Sequence, residues 1–219
     1  MDLNQKPRGR FAPSPSGRMH LGNAWTALLA WLDIRKLGGT MVLRIEDLDP
    51  DRCRPQFAEG LVEDLQWLGL DWDEGPDRPG VAASYKQSER SDLYQAAFDS
   101  LGQRGLVYPC FCSRAELRSV ASAPHAGEAE PVYSGRCAGL SMTEQAEKLS
   151  VGRQAAYRLR VGDTEISFND QLFGPQRQKL NQSCGDFVIR RSDGVYAYQL
   201  AVVVDDAMMQ IDRVLRGAD

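Results

Sequence analysis

Three groups of residues have the types and spacing to do chemistry. The first is Arg10 to Asn23, reading Arg-Phe-Ala-Pro-Ser-Pro-Ser-Gly-Arg-Met-His-Leu-Gly-Asn. Pro13 and Pro15 hold the backbone extended and outside any ladder, while Gly17 and Gly22 permit sharp turns. A predicted strand, Gly9 to Ala12, enters this loop, and an apolar helical run, Ala24 to Leu32, leaves it. A strand, a Gly/Pro loop with one histidine and a helix N-terminus together form an anion site. Free N–H groups and the positive dipole end suit a phosphate, and His20 can add a hydrogen bond. The second group is acidic, Glu46-Asp47-Leu48-Asp49-Pro50-Asp51, at the end of a predicted strand where open α/β sheets place their ligands. Asp49 and Asp51 read as a solvated turn. The third group is Cys110, Cys112 and Cys137. Cys110 and Cys112 alternate onto one face of a predicted strand, and three thiols so close point to a tetrahedral Zn²⁺ site. The residues alone leave its fourth ligand open among His125, Tyr133, Cys53, Cys184 and water.

The elements that must position these groups follow from periodicity and punctuation. Met41 to Ile45 reads as a second strand, so strand, helix and strand make a βαβ unit with parallel neighbours. Pro55 opens a helix with Phe57, Leu61, Leu65 and Leu68 on one face, and Trp67 and Trp72 are read as packing groups. Another helix is expected from Ser88 to Leu101, stopped at Gly105. Val107 to Cys112 reads as a strand, Ser113 with Glu116 as a capping box, and Ser119 to Glu130 as a mobile loop. From Ala155 the pattern turns β. Asp193-Gly194 is a hairpin signal between Phe187–Arg191 and Val195–Tyr198, and Leu200 to Val204 is an apolar run, helix or strand, buried on both sides.

The 219 residues can hold one core with a small insertion, and 42% hydrophobic with 26% charged residues is ordinary globular composition. A net charge of −4 gives no support to a general nucleic-acid binder but does not exclude a local basic surface. No apolar run approaches the ~20 residues that span a bilayer, and Met1 to Asn4 has no signal-peptide character. Five cysteines, an odd number, then favour the cytoplasm, with metal or free thiols rather than disulfides. No membrane association is expected, and a monomer is.

Arg10 to Asn23 resembles the His-Ile-Gly-His signature of class I aminoacyl-tRNA synthetases, in the Arg-Phe-Ala-Pro-Ser-Pro-x-Gly form of glutamyl-type enzymes. Here it reads His20-Leu21-Gly22-Asn23, with Asn23 in place of the second histidine. The resemblance extends to Arg44-Ile45-Glu46-Asp47, to Tyr198 with Leu200 to Asp206, and to Arg216-Gly217-Ala218-Asp219. Cys-x-Cys, a gap, then Tyr-x₃-Cys is similar to the glutamyl-queuosine tRNA(Asp) synthetase branch, and Ala218 favours that branch too. Zinc-bearing glutamyl-tRNA synthetases instead place a histidine two positions beyond the third cysteine, where this chain has Gly139.

The resemblance implies an α/β fold: a Rossmann-like parallel-sheet catalytic domain over residues 1–105 and 186–219, with a zinc-bearing α+β subdomain inserted at 106–185. It implies ATP-dependent activation of glutamate, with Mg²⁺-bound ATP as substrate, and transfer to the queuosine of tRNA(Asp). His20 is then the catalytic residue and, with Gly22 and Asn23, holds ATP. Arg10, Phe11, Ala12, Pro13, Ser14, Glu46, Tyr198 and Arg216 bind glutamate, Glu46 taking the ammonium group. Cys110, Cys112, Tyr133 and Cys137 hold a structural Zn²⁺. The second signature of the class, Lys-Met-Ser-Lys-Ser or a variant, does not occur in these residues. The abrupt end at Gly217-Ala218-Asp219 reads as truncation of a longer enzyme. The chain leaves no length for a helical anticodon-reading domain, and an enzyme whose acceptor is the anticodon loop needs none. Two other readings stand beside this one: the catalytic part of an ordinary glutamyl-tRNA synthetase charging tRNA(Glu), and a non-catalytic zinc module that binds RNA or a partner.

Overall fold

The computed structural model describes residues 6–113, 115–117 and 132–217. The predicted loop Ser119–Glu130, with His125, lies outside the described residues. The chain forms two compact units, Met1–Gln95 with Ala201–Asp219, and Ala96–Leu200. The domain bounds expected from the sequence fall at 105 and 185.

The first unit is built on the expected βαβ motif. Strands β1 (Arg8–Phe11) and β2 (Thr40–Leu43) pair in parallel, Arg8 opposite Thr40 and Phe11 opposite Leu43. Isolated parallel bridges continue the sheet on both sides, Gly9 to Arg213 and Val42 to Glu74, with Ile45 to Lys86 further along. Helix α1 (Leu21–Lys36) makes the crossover, with Arg35 and Lys36 in its last turn, where cations meet the negative end of the helix. It packs tightly on β1. A Cβ on Gly9 would stand 2.3 Å from Ile34 Cγ1, so only glycine lets strand and helix approach this closely. Phe11, Ala27, Ala30, Ile34, Met41, Leu43 and Ile45 form the core with Leu61 and Leu65 of α2 (Pro55–Trp67) and with Leu70 and Trp72. Trp72 packs as expected, whereas Trp67 is 86% exposed. It sits at the last position of α2, past the turn that the Leu61/Leu65 stripe buries. A 3₁₀ turn at Gln87–Glu89 precedes α3 (Ser91–Gln103), so the regular helix starts three residues later than expected.

In the second unit β3 (Val107–Cys110), β4 (Ala156–Leu159) and β7 (Phe187–Arg190) form an antiparallel sheet in the order β3-β4-β7. β3 ends at Cys110, two residues earlier than the sequence reading. Ser113 and Glu116 form the expected reciprocal cap, at 2.7 and 3.1 Å. Helix α4 (Met142–Ser150) has a second capping box, from Ser141 and Glu144. Strands β5 (Glu165–Asp170) and β6 (Gly174–Lys179) form a separate hairpin, and a single helical turn, α5 (Leu180–Ser183), follows it. The Asp193-Gly194 turn is present, Gly194 at φ 90°, but its return arm pairs only through Tyr196 opposite Arg190. Tyr198, read as a strand residue, instead opens helix α6 (Tyr198–Met208). The apolar run 200–204 is therefore helical, and Val203 is exposed rather than buried on both sides. The boundary between the two units falls inside α6. Among the described residues no helix is long and apolar enough to cross a membrane.

Candidate active site

The loop after β1 is fixed by main-chain bonds that outlast the strand. Arg44 N–H donates to Phe11 O at 3.0 Å, Glu46 N–H to Pro13 O at 3.0 Å, and Arg54 N–H to Pro15 O at 3.2 Å. Prolines have no N–H to give, but their carbonyls still accept, so the edge of the β1 loop faces the end of β2. Arg10, Phe11, Ala12, Pro13 and Ser14 are thereby brought beside Glu46.

His20 is the N-cap of α1. Its Nδ1 accepts the Gly22 N–H at 3.1 Å, and Asn23 Oδ1 accepts the His20 N–H at 3.4 Å. An Nδ1 that accepts carries no proton, so the tautomer that makes this bond has its hydrogen on Nε2, and the residue is exposed. Asn23 therefore does what a cap partner does: its amide oxygen closes the helix start that orients the imidazole. The helix begins at Leu21, three residues before the apolar run that starts at Ala24.

Beneath this loop lies a cluster the sequence reading did not assign. Arg44 is 0% exposed and reaches three carboxylates: Glu46 Oε1 at 2.9 Å, Asp206 Oδ1 at 2.6 Å and Asp205 Oδ2 at 3.7 Å. Asp205, also fully buried, accepts from Arg90 Nε and Gln87 Nε2, each at 2.7 Å, and from the Tyr94 hydroxyl at 2.9 Å. Arg10 meets Asp206 Oδ1 through Nε at 3.4 Å. Three arginines and three carboxylates make the cluster neutral as a set, the condition under which buried charges persist. Burial pushes the Glu46 carboxyl above its ordinary range, against the opposing pull of Arg44 and Arg10. Burial, with the Asp205 carboxylate beside it, holds the Tyr94 hydroxyl far up, so it stays a donor.

Two groups in the cluster keep unused capacity. Arg10 is buried, yet only its Nε is engaged, so both terminal nitrogens of the guanidinium remain for a ligand among the described residues. Glu46 takes both Arg44 bonds on Oε1 and keeps Oε2. An arginine with two unengaged nitrogens thus shares a cluster with a carboxylate that keeps one oxygen, and its charge pulls the Glu46 carboxyl down against the effect of burial. Tyr198, at the start of α6, is 46% exposed. Arg216 lies on the exposed C-terminal segment, its Nε donating to Gly217 O at 3.4 Å, and the bonds of the cluster do not include it. Sequence reasoning missed Arg44, Arg90, Asp205 and Asp206. Its available signal was Arg44 and Glu46 at i, i+2, on one face of a strand, and an acidic pair interrupting an apolar helix.

In the second unit the sulfurs of Cys110, Cys112 and Cys137 lie within 4.8 Å of one another. Cys112 and Cys137 sulfurs are 3.6 Å apart, and the Tyr133 oxygen is 3.4 Å from Cys110 Sγ and 3.8 Å from Cys112 Sγ. A Zn–S bond of ~2.3 Å and a Zn–O bond of ~2.1 Å give tetrahedral edges of about 3.5–3.8 Å. The donor set therefore fits a tetrahedral zinc ion. Cys184 is not in the group. Burial would raise the Cys110 thiol, but the Tyr133 hydroxyl and Arg158 outweigh it and hold it below its usual value. Burial and the Cys137 thiol push Cys112 up to about 11. Gly185 shapes the wall: at φ 65° it bends under Tyr133, and a Cβ there would meet Tyr133 O at 2.9 Å.

A βαβ motif with a capped histidine at its helix start and a buried arginine–carboxylate cluster agrees with what comparison with known proteins shows for the whole chain. It belongs to the family of class I tRNA synthetases (E and Q), catalytic domain, whose profile matches residues 6–219. The fold is the α/β fold of that domain. Among its relatives is the glutamyl-Q tRNA(Asp) synthetase of Nitratidesulfovibrio vulgaris, 55% identical over 213 residues, 97% of this chain and 65% of the relative. That of Symbiobacterium thermophilum is 53% identical over 212 residues, 96% of this chain and 65% of the relative. The chain thus spans 65% of the length of either. The crystal structure of a glutamate tRNA ligase from Elizabethkingia meningosepticum, in complex with its amino acid, superposes with a TM-score of 0.80 at 33% identity, covering 96% of this chain and 43% of that one.

Proposed function

We propose that the full-length protein is an ATP-dependent ligase that activates glutamate and transfers it to the queuosine base in the anticodon of tRNA(Asp). The observation that carries the reading is the unused capacity of Arg10 and Glu46. A guanidinium with two open nitrogens takes the side-chain carboxylate of glutamate, and the open oxygen of Glu46 takes its ammonium group. Glutamine would present an amide to Arg10 and lose one of two charge-assisted bonds, which gives selection for the acid. The backbone of Phe11 to Ser14 and the side chain of Arg216 serve the same substrate, Arg216 supplying a further cation for a carboxylate.

The glutamate α-carboxylate attacks the α-phosphorus of Mg²⁺-bound ATP in line, and pyrophosphate leaves. A hydroxyl of the queuosine cyclopentenediol then attacks the glutamyl carbonyl and releases AMP. No protein nucleophile is required, so the site works by positioning and by stabilising charge. His20 Nε2–H and the N-terminal amides of α1, near Gly22 and Asn23, meet the phosphates. The acceptor assignment is supported by the names of the two relatives above. Zn²⁺ on Cys110, Cys112, Tyr133 and Cys137 is structural, since four protein ligands leave no open position.

The test is glutamate-dependent ATP–pyrophosphate exchange by the full-length gene product, followed by acceptor assays. Glutamate should enter queuosine-containing tRNA(Asp) and neither queuosine-free tRNA(Asp) nor tRNA(Glu). Charging of tRNA(Glu) would make it an ordinary glutamyl-tRNA synthetase. Absence of exchange would remove the enzyme reading.

A further inference from the structure

Arg158 occupies the middle of β4, directly opposite Tyr108 and diagonal to Cys110 on the same face of the sheet. It is 7% exposed. Its guanidinium carbon stands 3.7 Å above the ring centre of Tyr133, and one terminal nitrogen donates to the main-chain oxygen of Asp186 at 2.6 Å. Its Nε is buried with no hydrogen-bond partner. Among the described residues no carboxylate lies within 4.0 Å of this guanidinium. The Asp186 carboxylate is turned to the Tyr108 hydroxyl at 2.6 Å and the Val161 N–H at 2.8 Å.

A buried arginine cannot shed its charge, and buried charges are paired or coordinate metals. Every other arginine buried to this degree in the described residues, Arg8, Arg10, Arg44 and Arg90, meets a carboxylate. Arg158 instead meets a tyrosine face and the wall of a three-thiol cluster. The counter-charge is therefore to be sought in the cluster. A divalent ion on three thiolates carries a net charge of −1, and ionisation of the tyrosine ligand makes it −2.

We infer that Arg158 is the charge partner of the metal centre: its buried guanidinium, stacked on Tyr133, balances the negative charge that the centre acquires when Zn²⁺ is bound. This rests on the zinc reading proposed above. Arg158 touches no metal and is a positioning residue. It holds the Tyr133 ring against the sulfurs and stabilises the anionic, loaded site over the empty one. Partners of this kind, one shell out from the ligands, set metal affinity by ~10- to 100-fold. In the metal-free protein, by contrast, the guanidinium meets no carboxylate among the described residues, so its removal should not destabilise the empty form.

The experiment uses the full-length gene product, with Arg158→Met, Arg158→Gln and Arg158→Lys. Arg158→Gln removes the charge but can still donate to the Asp186 carbonyl, so it carries the test if the methionine variant does not fold. Zinc affinity is read by competition with a chromogenic chelator, and the ligand set by the thiolate-to-metal bands of the Co²⁺ form. Both neutral variants should bind zinc 10- to 100-fold more weakly, with Co²⁺ bands unchanged at saturation, while lysine restores most of the affinity. Metal-free neutral variants should melt at or above the metal-free wild type. Zinc affinity equal to wild type in both neutral variants would overturn the inference. So would equal destabilisation of the empty and loaded forms, which marks a packing role. A wild-type protein that binds no zinc would fail the underlying metal reading, and this inference with it.

Discussion

Replacing Arg44 with methionine is the sharpest probe of the buried cluster. The side chains are similar in volume, so the change removes charge rather than packing. The three carboxylates it touches are not left in equal positions. Asp205 keeps Arg90, Gln87 and Tyr94, and Asp206 keeps Arg10. Glu46 loses its hydrogen-bonding cation, since both side-chain hydrogen bonds to its carboxylate come from Arg44. Breaking a buried pair from one side costs about 3–5 kcal/mol because a bare charge remains. For a chain of this size that is a fall in Tm of roughly 6–20 °C.

The same variant carries a pH signature. In the native protein burial raises the Glu46 carboxyl, so the folded state binds that proton more readily than the unfolded chain. Its contribution to stability is therefore full below the unfolded carboxylate range and is lost as pH rises through the folded value. Arg44 limits that loss, so the deficit of Arg44→Met should be largest near neutrality and shrink on acidification. Adding Glu46→Gln should recover most of it at pH 7. Chemical denaturation of the four proteins of the cycle at neutral and mildly acidic pH measures both effects. A deficit under about 1 kcal/mol at pH 7, or one equal at both pH values, would show that the cluster is not held by Arg44.

Four further variants have expected outcomes. Arg10→Ala should weaken glutamate binding ~10- to 100-fold in titration calorimetry, the loss of a bidentate charge-assisted contact, and should also lower the thermal melt, because Arg10 is buried and meets Asp206. His20→Asn should retain the cap of α1 and its stability yet lose ~100-fold in ATP–pyrophosphate exchange. His20→Ala should lose both, the cap at about 1 kcal/mol. Gly185→Ala, which forces a Cβ against Tyr133 at a left-handed φ, should lower bound zinc and destabilise by more than about 1 kcal/mol; full metal content with an unchanged melt would refute the close-approach argument.

What was legible in the sequence was local or alternated with a fixed period. The βαβ start, the proline at the head of α2, the Ser113/Glu116 cap and the Asp193-Gly194 turn are each written within a few neighbouring residues. Tyr198 was misplaced because an alternating aromatic pair reads the same at the end of a strand and at the start of a helix. Trp67 was misread because periodicity marks the face of a helix but not where its neighbours end. Charge pairing across 162 positions, as between Arg44 and Asp206, has no local signature.

By itself the sequence determined the chemical vocabulary: a histidine at a glycine-flanked helix start, an acid closing a strand, and three thiols with a tyrosine in a recurrent spacing. Those properties depend on side-chain identity and short spacing, which the chain carries in any conformation. Only the tertiary structure decided which charges neutralise each other. It shows that Arg10 and Glu46 keep open valences, that Asn23 orients His20 through a helix cap, and that Arg158 is buried without a carboxylate. Pairing in the interior is settled by desolvation, which acts on groups according to where the fold encloses them and not by their order along the backbone.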